Sequence, residues 1–115
     1  MTNQELGFKG EKLARRILRK HFTNVRFHKD HRDPFDYTAI DRLTGDRVAI
    51  EVKTVRKVKG KIAHIENSAM TRKLTFLNET NRKGIVLVVA INGHTSFYLA
   101  KLQNHISSGS LVEIK

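Results

Sequence analysis

The chain has 115 residues, a length that suits one domain spanning residues 1–115 and leaves little room for a second. Apolar residues make up 39% and charged residues 29%, which is typical of a globular protein, and the absence of cysteine excludes disulfides and thiolate metal sites. No apolar run approaches the roughly 18 residues of a membrane helix, and the first residues lack a secretory signal. We therefore expect a cytoplasmic protein with no membrane partner.

The net charge indicates the kind of partner. Lys and Arg total 22 against 11 Asp and Glu, so the formal net charge is +11. A surplus of this size on a small domain attracts polyanions and speeds their encounter with it. Nucleic acid is the expected partner, ahead of an anionic membrane surface. Charge alone does not separate a nuclease from a protein that only binds nucleic acid.

The N-terminal part of the chain predicts a helix followed by a strand. Thr2 and Glu5 have the spacing of a capping box. Apolar residues then recur at intervals of three and four, so a helix with one apolar face is expected to about His21. A short strand over residues 25–29 follows. Residues 30–34 form a polar loop that ends in the only proline of the chain.

A β-hairpin is predicted next, with strands over residues 35–41 and 47–54. Turn-forming residues lie between them at Thr44-Gly45-Asp46. In the second strand, alternate positions are apolar, which places the intervening Glu51 and Lys53 together on the opposite face.

The register of this hairpin brings charged groups together. If the turn closes around Thr44 and Gly45, Arg42 faces Arg47, and Asp36 then lies opposite Lys53. Glu51 is two residues away on the same face, so two carboxylates and an ammonium meet at one place.

The second half of the chain predicts one more helix and the rest of the sheet. Residues 55–65 are rich in lysine around Gly60 and are interpreted as a loop or a flexible hairpin. A helix begins at Asn67 or Ser68 and runs to about Arg82, with Gly84 at its C-terminal exit. Further predicted elements are a strand buried on both faces at 85–91, a strand at 96–101, a short helix at 101–106 and a closing strand at 111–114. The fold class is therefore α/β, with a mixed β-sheet flanked by helices.

The cluster of Asp36, Glu51 and Lys53 is the candidate active site. Two carboxylates so close together repel each other unless a cation or protons intervene. Mg²⁺ suits such a pair because it accepts one or two carboxylates and leaves positions for phosphate oxygens. Lys53 would orient a water molecule or stabilise charge on the phosphate. The alternative is that Glu51 and Lys53 are an ordinary solvent-facing pair on an amphipathic strand.

Two further acids bear on the site. Glu11 lies on the core-facing stripe of the first helix, where an ionised group is costly unless it is paired or binds a metal ion. It is also placed to pair with Arg15 at the edge of that face. Asp33 competes with Asp36 as the carboxylate that would bind a metal ion together with Glu51.

Basic residues near the site are candidates for contact with nucleic acid. Lys57, Lys59 and Lys61 alternate around Gly60 directly after the second strand of the hairpin, which favours contact with backbone phosphates over an inert solvated face. Arg72 and Lys73 on the second helix extend the same footprint.

Three short motifs carry a family resemblance. They are Gly10-Glu11 on the first helix, Pro34-Phe35-Asp36 at the start of a strand, and Glu51-Val52-Lys53 after fourteen intervening residues. With the order of elements, they resemble the PD-(D/E)XK nuclease superfamily and its restriction-endonuclease-like αβββαβ core. The resemblance covers residues 7–91.

The resemblance implies a role for each motif residue. Asp36 and Glu51 look like the metal-binding carboxylates, and the carbonyl of Val52 would complete the metal shell. Lys53 is similar to the catalytic lysine. Glu11 looks like the additional helix acid of many members, which often acts through a metal-bound water.

The resemblance also implies a function. It is that of a Mg²⁺-dependent endonuclease, with Mn²⁺ as a substitute, that hydrolyses phosphodiester bonds in DNA. Within the superfamily the chain looks most like small archaeal or phage Holliday junction resolvases, which act as dimers on branched DNA in recombination and repair. The alternative is a basic nucleic-acid-binding module of the same fold without catalysis. The choice between DNA and RNA stays open.

Overall fold

The computed structural model describes residues 1–28, 30 and 33–115. The predicted strand end at Lys29, and His31 and Arg32 of the predicted loop, lie outside the described residues. The elements in chain order are α1 (Asn3–His21), β1 (Phe22–Phe27), β2 (Tyr37–Asp41), β3 (Arg47–Val55), β4 (Lys61–His64), α2 (Asn67–Thr80), β5 (Lys83–Asn92), β6 (His94–Lys101), β7 (His105–Ser107), a 3₁₀ turn (Ser108–Ser110) and β8 (Val112–Ile114).

A mixed sheet forms the centre of the described structure, in the strand order β1-β2-β3-β5-β6-β8. Strands β3 and β5 are parallel, and the other neighbours are antiparallel. Strands β4 and β7 pair separately as a small two-stranded sheet. The predicted α/β class with a mixed sheet is confirmed. Within the described part of the chain, neither helix has the length and apolar character needed to cross a bilayer.

The two faces of the sheet are buried in separate cores. One core contains Leu18 of α1 with Tyr37, Ile50 and Leu87 of the sheet. The other core contains Met70 of α2 and sheet residues of the opposite face (Val86 and Val88). Because side chains alternate along a strand, this arrangement places α1 and α2 on opposite faces of the sheet.

The start of α1 follows the predicted capping box. The Thr2 hydroxyl accepts from the Glu5 amide at 3.1 Å, and the Glu5 carboxylate accepts from the Thr2 amide at 3.3 Å. Farther along, Gly10 lies against β3. A Cβ at this glycine would lie 2.0 Å from Thr54 Oγ1, so only glycine permits this approach of the helix to the strand.

The predicted hairpin forms, but its two strands pair in a register that is shifted by two residues from the predicted one. Ile40, not Arg42, faces Arg47. The turn explains the difference. The Asp41 carboxylate accepts from the backbone amides of residues 43 and 44 at 2.8 and 3.3 Å, and Gly45 takes the left-handed conformation with φ +75°. Because glycine adopts this conformation without strain, the connection consists of residues 42–45, and Asp41 pairs with Asp46.

Other predicted boundaries are corrected by local chemistry. Helix α2 ends at Thr80 because Asn81 adopts the left-handed C-cap conformation at φ +53°, whereas Gly84 lies inside β5. The predicted helix over 101–106 is wrong. There, the Asn104 carbonyl accepts from the Ile65 amide at 2.8 Å, and the Asn104 side chain donates back to the Ile65 carbonyl at 2.9 Å. Residues 102–104 form neither helix nor strand and lead into β7.

Candidate active site

Asp36 and Glu51 face each other at the open end of the hairpin. The observed register, continued by one residue beyond Tyr37, sets Asp36 opposite Glu51, not Lys53. The Asp36 amide donates to the Ile50 carbonyl at 3.1 Å. Its carboxylate Oδ2 accepts from the Val52 amide at 2.8 Å. A shift by two residues preserves the face of every side chain, so the two carboxylates still share one side of the sheet.

The environment of Asp36 disfavours its charged form. Burial raises the pKa of its carboxyl from 3.8 to about 6, with further upward contributions from the nearby charges of Glu51 and Glu11. The hydrogen bond from the Val52 amide and the charge of Lys73 act in the opposite direction. Like charges are thus held together by the fold, which is a common condition at catalytic and metal-binding sites.

Glu51 lies between two ammonium groups. Its Oε2 is 3.4 Å from Lys53 Nζ, and its Oε1 is 3.1 Å from Lys73 Nζ. The side chain of Glu51 is only 16% exposed. The fold therefore brings together Asp36, Glu51 and Lys53 as expected, and adds a lysine from α2.

Lys73 is buried, which differs from the expected surface contact with phosphate. Its side chain is 8% exposed, and its ammonium also donates to the Pro34 carbonyl and lies 4.6 Å from the centre of the Phe35 ring. Lys73 thus joins α2, the segment before Asp36 and the carboxylate of Glu51. Its spacing of three from buried Met70 and four from Leu77 was the available sequence signal for an inward-facing position. Leu74, the next residue along α2, is 55% exposed.

Glu11 occupies the side of the site formed by α1. Burial raises the pKa of its carboxyl, the charge of Arg15 lowers it, and the charge of Glu51 raises it. Glu11 therefore fits both interpretations offered by the sequence. It lies close to the other acids, as an acid of a metal site would, and it also interacts with Arg15.

Asp33 and Asp36 differ in their surroundings. The Asp33 carboxylate is 43% exposed and lies 3.5 Å from Nδ1 of His28. That imidazole also contacts the Thr38 hydroxyl through Nε2 at 3.0 Å. Asp36 is therefore the acid that faces Glu51, although Asp33 lines the same cleft.

Two connected depressions meet at the carboxylates. A cleft of about 460 Å³ extends toward α2 and is lined by five acids together with Arg72 and Lys73. A groove of about 770 Å³ extends toward the start of α1 and is lined by three of these acids, Glu11, Asp36 and Glu51, together with the basic residues that follow β3. The basic residues in this groove are Lys53, Arg56, Lys57, Lys59 and Lys61. The expected lysines thus lie along one path to the acids.

The donor set suits a hard divalent cation. Among residues 1–28, 30 and 33–115, no group of three His, Asp or Glu side chains is arranged to hold a metal ion. Mg²⁺, however, needs only one or two carboxylates because it retains several waters. Asp36 and Glu51 supply that pair, and a cation between them would offset the burial and the repulsion from Glu51 that together raise the pKa of Asp36.

The fold has a counterpart among solved structures. The chain is similar to Hjc, a Holliday junction resolvase from the archaeal hyperthermophile Archaeoglobus fulgidus, with 17% sequence identity, a TM-score of 0.59 and 92% of each chain covered. At this identity the likeness shows a shared fold. No protein-family model matches the chain, and no curated protein matches it. The chain thus shares its fold with a resolvase, the kind of protein that its sequence motifs resemble.

Proposed function

We propose that this protein is a Mg²⁺-dependent endonuclease that hydrolyses phosphodiester bonds in DNA, with Mn²⁺ as a substitute ion. The observation that carries the proposal is the pairing of Asp36 with Glu51, two partly buried carboxylates held face to face beside Lys53. On a surface that only binds nucleic acid, clustered acids would not increase affinity, because they repel phosphate. On a fold shared with a resolvase, the pair is best explained as a catalytic centre.

Each residue has a role in this proposal. Asp36 and Glu51 would hold the ion, the carbonyl of Val52 would complete its protein ligands, and Glu11 would act through a metal-bound water. A divalent ion bound there supplies Lewis-acid stabilisation of the charge that develops on the phosphate. The Val52 amide fixes the orientation of the Asp36 carboxylate through its 2.8 Å hydrogen bond.

Lys53 is the proposed catalytic lysine. Its ammonium is held 3.4 Å from Glu51 Oε2 at the entrance of the groove, where it can donate to a phosphate oxygen or to the attacking water. Lys73 is a positioning residue, since it is buried and holds the Glu51 carboxylate and the Pro34 carbonyl.

The proposed substrate is branched DNA, in recombination or repair, and the proposed assembly is a homodimer. The substrate proposal follows from the name of the structural neighbour as a Holliday junction resolvase and from the net charge of +11, whereas the homodimer is proposed only from the resemblance of the sequence motifs to small resolvases. The proposed basic contacts are Lys57, Lys59 and Lys61 along the groove and Arg72 at the cleft. A cytoplasmic location agrees with such a substrate.

A second candidate function is binding of nucleic acid without catalysis. It is favoured by the pairing of both Glu51 oxygens with lysines, which neutralises the carboxylate without a metal ion. This candidate predicts salt-sensitive binding and no cleavage of any substrate.

A cleavage panel tests the proposal. Labelled four-way junction, linear duplex, single-stranded DNA and RNA are incubated with Mg²⁺, Mn²⁺ or EDTA. We expect cleavage only with the metal ions, with DNA junctions cut fastest. Glu51→Gln should abolish it, and Lys53→Met should slow it by about 100-fold or more. Glu113→Gln, an exposed acid on β8, is the matched control and should cut normally. Salt-sensitive binding without cleavage of any substrate would instead support the second candidate.

A further inference from the structure

An aromatic side chain lies exposed at the start of α1. Phe8 is 64% exposed and is the only aromatic residue among the large exposed apolar side chains of the described structure. A single exposed apolar residue is common on protein surfaces and by itself indicates nothing. The surroundings of Phe8 give it significance.

Phe8 lines the groove that leads to the carboxylates. The same groove is lined by Glu11, one helical turn farther along α1, and by the lysines that follow β3. Apart from its chain neighbours and the backbone of its own helix, no described residue has an atom within 4 Å of the position that a Cβ on Gly7 would occupy, so the helix surface beside Phe8 is open.

The wall of this groove is tied together by Arg56. Its guanidinium donates to Asn3 Oδ1 at 2.8 Å and to the Met1 carbonyl at 3.0 Å. These bonds join the end of β3 to the start of α1. The aromatic ring on α1 and the ammonium groups after β3 are therefore parts of one surface.

An aromatic face beside a row of cations is the combination that binds unpaired nucleotides. Cations follow the phosphate backbone, and aromatic rings stack with exposed bases regardless of sequence. An anionic protein surface would need the cations but not the ring. In a paired duplex, each base is already stacked on its neighbours. An aromatic side chain can therefore stack on a base only where the duplex opens.

We propose that this groove binds a nucleic-acid strand that carries an unpaired base, with the base stacked on Phe8 and the phosphates on Lys57, Lys59 and Lys61. The proposal deepens the proposed function, because the strand would continue to the carboxylates where cleavage is proposed. It gives a physical basis for selecting single-stranded or branched substrates over uninterrupted duplex. Stacking of one base accounts for about a 5- to 100-fold difference in affinity.

Binding in EDTA tests this without any requirement for cleavage. Fluorescence anisotropy measures the affinity for a labelled 12-nucleotide strand, the matched duplex, and the duplex with a two-nucleotide bulge. We expect wild type to bind the strand and the bulge more tightly than the duplex. Phe8→Ala should weaken binding to both by about 5- to 100-fold and leave the duplex affinity unchanged. Phe8→Trp should retain the preference, because it keeps a stacking face.

A matched control and a spectroscopic signal complete the experiment. Leu43→Ala removes a side chain that is 95% exposed in the hairpin turn, and it should change none of the affinities. A 2-aminopurine at the bulge should change its fluorescence on binding wild type but not on binding Phe8→Ala. Equal affinity of wild type for all three substrates, or an equal loss on all three in Phe8→Ala, would overturn the proposal. Selective binding without cleavage in Mg²⁺ would leave this inference standing and refute the nuclease.

Discussion

Replacing Asp36 with Asn should make the metal-free protein more stable at neutral pH. The folded structure raises the pKa of this carboxyl from 3.8 to about 6, mainly through burial and the charge of Glu51. For an acid, a raised folded pKa means that the folded state keeps a proton that the unfolded chain has lost. The free energy of unfolding therefore falls as pH rises from about 4 to about 6.

The size of the effect follows from the pKa difference. A difference of about two units, at about 1.36 kcal/mol for each unit, corresponds to about 3 kcal/mol of lost stability above pH 6. Asparagine has no charge to desolvate, and its amide oxygen can still accept from the Val52 amide. Asp36→Asn should thus match wild type near pH 4 and exceed it by up to about 3 kcal/mol at pH 7.5.

Urea unfolding in EDTA at a series of pH values measures this difference. Asp46→Asn is a matched control of opposite sign, because a hydrogen bond from Lys83 lowers the pKa of Asp46. Relative to wild type, that variant should become less stable as pH rises, because it lacks the stabilising charge that Asp46 acquires. Magnesium should restore stability to wild type above pH 6 and have no such effect on Asp36→Asn. A difference between Asp36→Asn and wild type that stays constant from pH 4 to pH 7.5 would refute the reasoning.

Three further substitutions test the surroundings of the site. Lys73→Met should lower the free energy of unfolding by about 3 kcal/mol, measured with urea, because the buried Glu51 carboxylate loses one of its partners. Lys83→Met removes a lysine from an exposed ion pair and should cause no comparable loss. Gly10→Ala should cost about 1–3 kcal/mol in the same assay through its clash with β3, and Gly7→Ala, which has open space, should not destabilise. Lys59→Gln should reduce the slope of log binding constant against log salt concentration by about 0.9, and an unchanged slope would exclude a phosphate contact.

Local signals in the sequence predicted much of the fold. The capping box at Thr2 and Glu5 and the apolar period of α1 act within a few residues, so they can be recognised without knowledge of the rest of the chain. The short helix predicted at 101–106 failed because its backbone pairs with Ile65, a partner about 40 residues away. Contacts at such a distance leave no periodic pattern in the segment itself.

The candidate site was predictable in its members but not in its details. The face shared by Asp36, Glu51 and Lys53 follows from strand alternation and survives a register shift of two residues. The shift itself depended on which turn residue takes a positive φ, and Gly45 decided it. Lys73 was expected to contact nucleic acid with the other basic residues, and only the fold shows the carbonyl and carboxylate that surround its ammonium.

Direct measurement of Mn²⁺ binding tests the central claim that Asp36 and Glu51 form a divalent cation site. Titration of the protein with Mn²⁺, followed by the electron paramagnetic resonance signal of the free ion, counts bound ions without any need for substrate. We predict one ion for each wild-type chain, loss of that ion in Asp36→Asn and in Glu51→Gln, and retention in Glu113→Gln. Binding that is absent from wild type, or unchanged in both site variants, would contradict the account.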